Sequence, residues 1–394
     1  MCAESRFGVS SGGLTYRSSD GSAELRLAGY VQSDMRALDD ALPNPPDSLL
    51  FRRVRPEFSG TLFHHFDFRV TSDFATSSPL LYDAFVETRF PRFIVRAGKF
   101  RAPFGLERLQ PATDLTFIER GLPSGLAPNR DWGVQISNDP ANHRWTGAIG
   151  VFEGASDGAL INAGNNRGVD VAARIFATPW RDRPPQAGRF KRALSGLGIG
   201  FGVMAGEHHG SALGLYRTFG QATFFPYAER ASLAGARVRY SPQAYYYVGR
   251  FGLLMEYTRS TQAMAEDGVD TRAYTRVTNS AWQAAGSWVL TGEAKRYRRV
   301  DPKQPLFQRH GRGAVEAVAR IGGMHLDPVM QVRGLASPES PSTSAREWVV
   351  GANWYLTHQV RVSANYGSTR FTSLSGVTPR PTEHVVLGRI QVAF

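Results

Sequence analysis

Cysteine is nearly absent from this chain of 394 residues: Cys2 is the only one, which excludes an internal disulfide framework. Lysine is almost as scarce. Lys99, Lys191, Lys295 and Lys303 are the only four, which leaves 42 arginines among the 46 basic residues. No run of 18 or more apolar residues occurs, so a transmembrane helix is excluded. The start, MCAESRF, has no apolar stretch of the kind a signal peptide carries, and an exported chain is expected to begin after its signal. No G-x-S-x-G, phosphate-binding loop or paired zinc spacing is present. His64-His65 reads as a tight turn and His208-His209 as a loop. With no third ligand at metal spacing, both pairs are expected to be solvated histidines. Glycines 196, 198, 200 and 202 recur every two residues with no helix after them, which excludes a dinucleotide fingerprint. No catalytic residue, cofactor, metal or nucleic-acid partner is expected.

What is present is a positive, arginine-rich chain with period-two patterning. The net charge of +12 points to an anionic partner. A mean hydropathy of −0.28 looks soluble, yet a membrane barrel hides its apolar face in alternate residues. Residues 1–22 are polar and Ser/Gly-rich, and are expected to be a flexible lead-in. From Ala23 about sixteen alternating runs follow, among them 51–63, 67–75, 81–90, 93–99, 132–137 and 383–394. His64-His65-Phe66, Pro91-Arg92 and Thr357-His358-Gln359 are tight connections. Those at 153–168, 206–233, 260–279 and 327–346 are long and polar. Short turns on one rim and long loops on the other are the pattern of an outer-membrane barrel. Two connections, 179–196 and 291–312, fall on the short-turn side but are long and basic, with no role the sequence assigns.

The faces of the runs bear this out. Val54, Phe58 and Leu62 oppose Arg53, Arg55, Glu57 and Ser59, and Val315, Ala317 and Ile321 oppose Glu316 and Arg320. A packed soluble core does not tolerate such rows of charge, whereas a water-filled lumen with lipid outside does. The lumen faces then carry Arg53, Arg55, Arg69, Arg96, Arg174, Arg320, Arg361 and Arg389. Tyr245, Tyr246, Tyr247, Trp282, Trp288, Trp348 and Trp354 suit interfacial girdles. Between FIVRAG and WGVQIS lies a connection over 100–131, too long for an ordinary loop and too apolar for a linker, with Phe104, Leu106, Phe117, Ile118 and Leu122. It also carries Arg101, Arg108, Arg120 and Arg130. Such a segment needs a cavity to fold into, and is expected to fold inward as a constriction. Rings of arginine make anion pores, because guanidinium donors replace part of an ion's hydration.

These motifs resemble one family. RAGKFRAPFGLE (96–107), FIERGLP (117–123) and APNRDWGV (127–134) look like the third-loop signature of the phosphate-selective porin O and P family. FRRVR (51–55), YDAFVE (82–87), SWVLTGEAKRY (287–297), GRGAVEAVARI (311–321), ANWYL (352–356) and the terminal RIQVAF (389–394) follow in the family's order, so the likeness spans nearly the whole chain. It implies an all-β, transmembrane antiparallel barrel of about sixteen strands over 23–394, in the bacterial outer membrane, assembled as a homotrimer. It implies passive diffusion of small inorganic anions, phosphate or polyphosphate, with Arg53, Arg55, Asp83, Arg120 and Arg130 lining the pore by motif; the lumen-face Arg69, Arg96 and Arg320 join them in the expected anion path. The aromatic end at Phe394 resembles the signal that barrel-assembly machinery reads. The scarcity of lysine sets this chain apart from lysine-based capture sites in the family. A general porin without phosphate preference therefore stays open. So does an outer-membrane barrel enzyme, for which Asp39, Asp40 and the loop histidines are the only raw material.

Overall fold

Alternation gives each extended run one apolar and one polar face, and in lipid only a closed sheet satisfies every backbone group. The computed structural model describes residues 6–10, 12–38, 48–138, 144–158, 167–181, 193–266, 274–338 and 342–394. Two short strands come first, β1 (Arg6–Ser10) and β2 (Gly13–Arg17). The barrel begins with β3 (Ala23–Leu38), β4 (Ser48–Leu62), β5 (Phe66–Asp73), β6 (Leu80–Arg89), β7 (Ile94–Arg101), β8 (Arg130–Ser137), β9 (Trp145–Phe152), β10 (Arg167–Ala177) and β11 (Leu197–Gly210). A small hairpin, β12 (Tyr216–Arg217) and β13 (Thr223–Phe225), intervenes. The barrel resumes with β14 (Ala231–Val248), β15 (Phe251–Glu266), β16 (Thr275–Val289), β17 (Ala314–His325), β18 (Ser342–Tyr355), β19 (Val360–Ser373) and β20 (Glu383–Ala393).

Neighbouring strands pair antiparallel, and β20 pairs with β3 from Val385↔Leu38 to Ala393↔Tyr30, so sixteen strands close into a barrel. Phe394 finishes that seam by exchanging two 2.9 Å backbone hydrogen bonds with Gly29. Val134, Ile136, Ile149, Val151, Val171 and Ile175 face outward and exposed, as lipid requires. Trp282, Trp288, Trp348 and Trp354 are exposed on the same outer face. Tyr245 and Tyr247 are not part of that girdle: both turn inward toward Tyr297, with ring centroids at 5.3 and 6.5 Å.

The structure departs from the sequence expectation at several segments. Where a flexible lead-in over 1–22 is expected, β1 and β2 pair antiparallel (Arg6↔Arg17 to Ser10↔Gly13), and β2 pairs with the start of β3 (Leu14↔Leu27 to Arg17↔Glu24). The turn joining β2 to β3 follows from side-chain chemistry: Asp20 accepts from the Ser18 hydroxyl at 2.6 Å and the Ser22 N–H at 3.0 Å, reversing the chain at Gly21. The connection after β11 is not an external loop. Residues 211–230 fold into the lumen, burying Tyr216, Phe219, Phe224 and Phe225. A short helix, α1 (Val329–Val332), packs Met330 into the same cluster. The basic connection at 291–312 folds back on the short-turn rim, where Val300 is buried with Val289, Ala314 and Tyr355. In the other basic connection, 179–196, residues 182–192 lie outside the described residues, as do Asp39 and Asp40.

Candidate functional site

Loop three, residues 102–129 between β7 and β8, lies along the inside of the barrel wall. Its apolar side chains explain why: Phe104, Leu106, Phe117, Ile118 and Leu126 are at most 1% exposed. Phe117 and Ile118 pack with Phe219, Val349, Val385 and Leu387, and Leu122 and Leu126 with Tyr216, Phe224 and Met324. The loop's backbone groups then need partners, since a buried unpaired N–H or C=O is costly. Wall residues supply them. Glu256 accepts from the N–H groups of Leu106 and Glu107 at 2.6 and 3.2 Å. Arg361 donates to the Leu115 carbonyl at 2.7 Å, Arg389 to Ile118 at 2.6 Å and Arg320 to Glu119 at 3.0 Å. The Asn365 amide oxygen accepts from the Ile118 N–H at 2.9 Å. Gly121 lets the chain lie flat on the wall, because a Cβ there would come within 2.0 Å of Gln283.

Three of the expected lumen arginines are thus fasteners. Arg320 touches neither cavity described below; it sits behind the loop, 3.1 Å from Glu347 and 4.7 Å from the Phe117 ring centre. Arg389 also holds Asp34 at 2.6 and 2.7 Å. Arg389→Ala is expected to cost about 3–5 kcal/mol, because it leaves the buried Asp34 carboxylate uncompensated. The readout is a lowered heating midpoint for conversion of the folded to the slow-migrating form on gels; an unchanged midpoint would count against the fastening role.

With the loop lying along β15–β20 and β3, free space remains beside β4 and β6. A cavity of about 320 Å³ opens there, lined by seven arginines: Arg52, Arg53 and Arg55 of β4, Arg108, Arg120 and Arg130 of loop three and its end, and Arg217 of β12. Glu119 is its only carboxylate among the described residues. A second space of about 550 Å³ lies toward the short-turn rim, where Arg69, Arg96 and Arg174 face Glu57, Asp83 and Glu87. Arg55 and Arg130 line both, so they mark the narrowing between them.

The arginines differ in how far they are neutralised. At the narrowing, Arg130 pairs with Asp83 at 3.2 Å and Arg55 with Asp73 at 2.8 Å, and both lie over the Tyr82 ring at 4.6 and 3.7 Å. Arg69 sits 3.4 Å from Glu57, and Arg96 pairs with Glu87 over the Phe85 ring. Arg52 and Arg53 share Glu119 at 2.7 and 3.5 Å. Burial alone would raise the Glu119 pKa, but Arg52, Arg53 and Arg389 together hold it well below the ordinary carboxylate range. Arg108, Arg120 and Arg217 have no carboxylate partner among the described residues. Arg120 donates only to the carbonyls of Glu107 and Gln110, at 3.2 and 2.6 Å. Arg108 donates to those of Ser124 and Ala127, and its Nε is buried without a partner.

Arg53 and Arg55, expected from alternation, and Arg120 and Arg130, expected from loop three, line one cavity; Arg69 and Arg96, expected from alternation, and Asp83, expected from the family motif, line the next. The expected path omits Arg52, Arg108 and Arg217. Strict period two points Arg52 at lipid, but a β-bulge intervenes: Gln32 pairs with Arg53 and Ser33 with Phe51, and the extra residue turns inward. Arg217 rides on the inward hairpin. The apolar run Leu213, Leu215, Tyr216, Phe219, Phe224 and Phe225 was the available signal that this segment is not a solvated loop. His208 is another correction. It lies on β11 fully buried, with Nε2 2.7 Å from Asp170 and 3.1 Å from Arg237, whereas His209 is exposed. No group of three metal-ligating side chains occurs among the described residues.

Comparison with known proteins adds the lineage. A sequence profile described as phosphate-selective porin O and P matches residues 25–181 and 223–394. Porin O of Pseudomonas aeruginosa is 24% identical, with 90% of this chain and 85% of that protein aligned. Among solved structures, the fold is similar to the outer membrane channel DcaP of Acinetobacter baumannii, at TM-score 0.63 and 10% identity over 97% of this chain and all of the other. It is also similar to an anion-selective porin from Comamonas acidovorans, at TM-score 0.56 and 14% identity over 94% of this chain and all of the other.

Proposed function

The chain belongs to the phosphate-selective porin O and P family, and we propose that, as an outer-membrane anion porin, it passes phosphate and polyphosphate by diffusion through the arginine cavity beside loop three. A porin of this family is a channel and not an enzyme. The observation that carries the anion path is the balance within one cavity: among the described residues, seven guanidiniums against one carboxylate. Lined in this way, the cavity concentrates anions and repels cations, and its planar donors suit tetrahedral oxyanions better than spherical chloride. Arg108, Arg120 and Arg217 are the contacts a passing anion meets with least internal competition. Arg55 and Arg130 continue the path through the narrowing, and Arg69 and Arg96 line the way out. A homotrimer in outer-membrane lipid, inserted by barrel-assembly machinery that reads Phe394, completes the proposal.

Single-channel recording in planar bilayers tests it. In a potassium chloride gradient the zero-current potential should report anion preference, and that preference should weaken as salt shortens the Debye length from ~30 Å at 0.01 M to ~3 Å at 1 M. Phosphate should reduce chloride current at concentrations well below that of chloride. A cation-selective potential removes the anion path. An anion-selective channel that phosphate never blocks is a general porin.

A further inference from the structure

The one carboxylate among the described residues of the arginine cavity is placed as an occupant. One Glu119 carboxylate oxygen lies 2.7 Å from Arg52 Nε and 3.0 Å from Arg389 Nη2, and the other lies 3.2 Å from Arg52 Nη2 and 3.5 Å from Arg53 Nη2. Two coplanar oxygens against guanidinium N–H groups are the contacts an incoming oxyanion would make. Loop three does not need this side chain to stay seated. Its backbone here is held by Arg320 on the Glu119 carbonyl, Arg389 on the Ile118 carbonyl and Asn365 on the Ile118 N–H. Arg389 has a two-point partner of its own in Asp34. Meanwhile three arginines lining the same cavity have no carboxylate partner among the described residues, so local neutrality is not what places Glu119.

Building on the anion-path reading above, we propose that Glu119 is a specificity-determining residue, a tethered competitor whose carboxylate fills the Arg52–Arg53 site so that a passing oxyanion must share or displace it. The physical need is exit. A channel site must bind well enough to admit an ion and weakly enough to release it. An anion clasped by the bare Arg52 and Arg53 guanidiniums, in a partly dehydrated passage, would leave slowly. A carboxylate fixed to the loop has no translational freedom to lose, so it competes at any solute concentration. The passing ion is then left to the looser cations Arg108, Arg120 and Arg217.

Glu119→Gln tests this, since it keeps the shape and one acceptor oxygen while removing the charge. The readout is inorganic phosphate titrated against chloride current, with correct assembly checked by heat-modifiable gel mobility. The phosphate concentration giving half block should fall about tenfold, the size of one charge-assisted contact regained, and individual blocks should lengthen. Glu57→Gln, in the second cavity, removes the same charge elsewhere; it should shift the zero-current potential without tightening the block. If Glu119 only positioned Arg52 and Arg53, Glu119→Gln would weaken the block instead. Unchanged or weaker block, or equal tightening by Glu57→Gln, overturns the proposal while leaving the anion-path reading intact. Block in Glu119→Gln but not in wild type supports it in its strongest form, as a masked site. Block in neither overturns this proposal together with the phosphate preference, and the zero-current potential then decides separately whether the anion path stands. Should Glu119→Gln fail to assemble, Glu119→Asp withdraws the charge from Arg52 and Arg53, and a tightening smaller than that forecast for Gln is the supporting result; no tightening overturns it.

Discussion

Replacing Arg108 and Arg120 together with alanine should raise the phosphate concentration needed to halve chloride current by roughly 10- to 100-fold, from about 1.5–3 kcal/mol for each charged hydrogen bond, reduced here by solvent. These two side chains face the cavity without a carboxylate, so their removal leaves no orphaned acid and the loss is read as lost anion binding. Arg130→Ala is a different experiment. It strands Asp83 at the narrowing, so anion selectivity falls through an added bare negative charge as well as a lost positive one. Arg309→Ala, at an exposed position on the short-turn rim, serves as the control, since water and salt screen it. Equal effects from the rim and cavity variants would move the selective contact away from loop three. No effect from the double variant would leave Arg217 and the Arg52–Arg53 pair to carry the whole of it.

Deleting Phe394, or replacing it with serine, should remove nearly all assembled protein while synthesis continues. Deletion removes both backbone bonds between the chain end and Gly29 at the edge where first and last strands meet, whereas Phe394→Ser keeps them and removes only the ring. An open sheet edge in lipid leaves unpaired N–H and C=O groups, each costing several kcal/mol or about that order. The ring is half exposed on the outer face, so its loss should act through recognition rather than through a core cavity. Unheated gels separate the cases. A normal amount of fast-migrating, heat-modifiable protein from the deletion would mean that the seam closes without residue 394, and the same result from Phe394→Ser that assembly does not need the ring.

The barrel was legible because membrane strands repeat a two-residue pattern across the lipid-facing band, as Val134, Ile136 and Ile149 do. Loop three was legible because Phe104, Phe117, Ile118 and Leu122 are too apolar for water and too irregular for a strand. What alternation could not supply was the fate of each arginine. Arg320 and Arg53 look identical in the pattern, yet one lies behind the loop and the other lines a cavity, and only the path of the loop separates them. The bulge at Arg52 is a single inserted residue with no sequence mark. Residues 211–230 were read by their polar members, although their aromatics point to burial. The solvated reading of His208 failed because its partners Asp170 and Arg237 lie on other strands, 38 and 29 residues away.

The fastening of loop three has a bearing on the order of events during assembly. The loop belongs to the first third of the chain, but Arg361 and Arg389, two of the side chains that grip it, sit on the last two strands. Its other grips come from β15 to β18, and Gln32 of β3 reaches the Ala112 carbonyl from the far side of the seam. Until β20 meets β3, then, the constriction has no finished shape. A barrel stalled one strand short would be an unselective hole, and completion of the wall is the same event that calibrates the aperture.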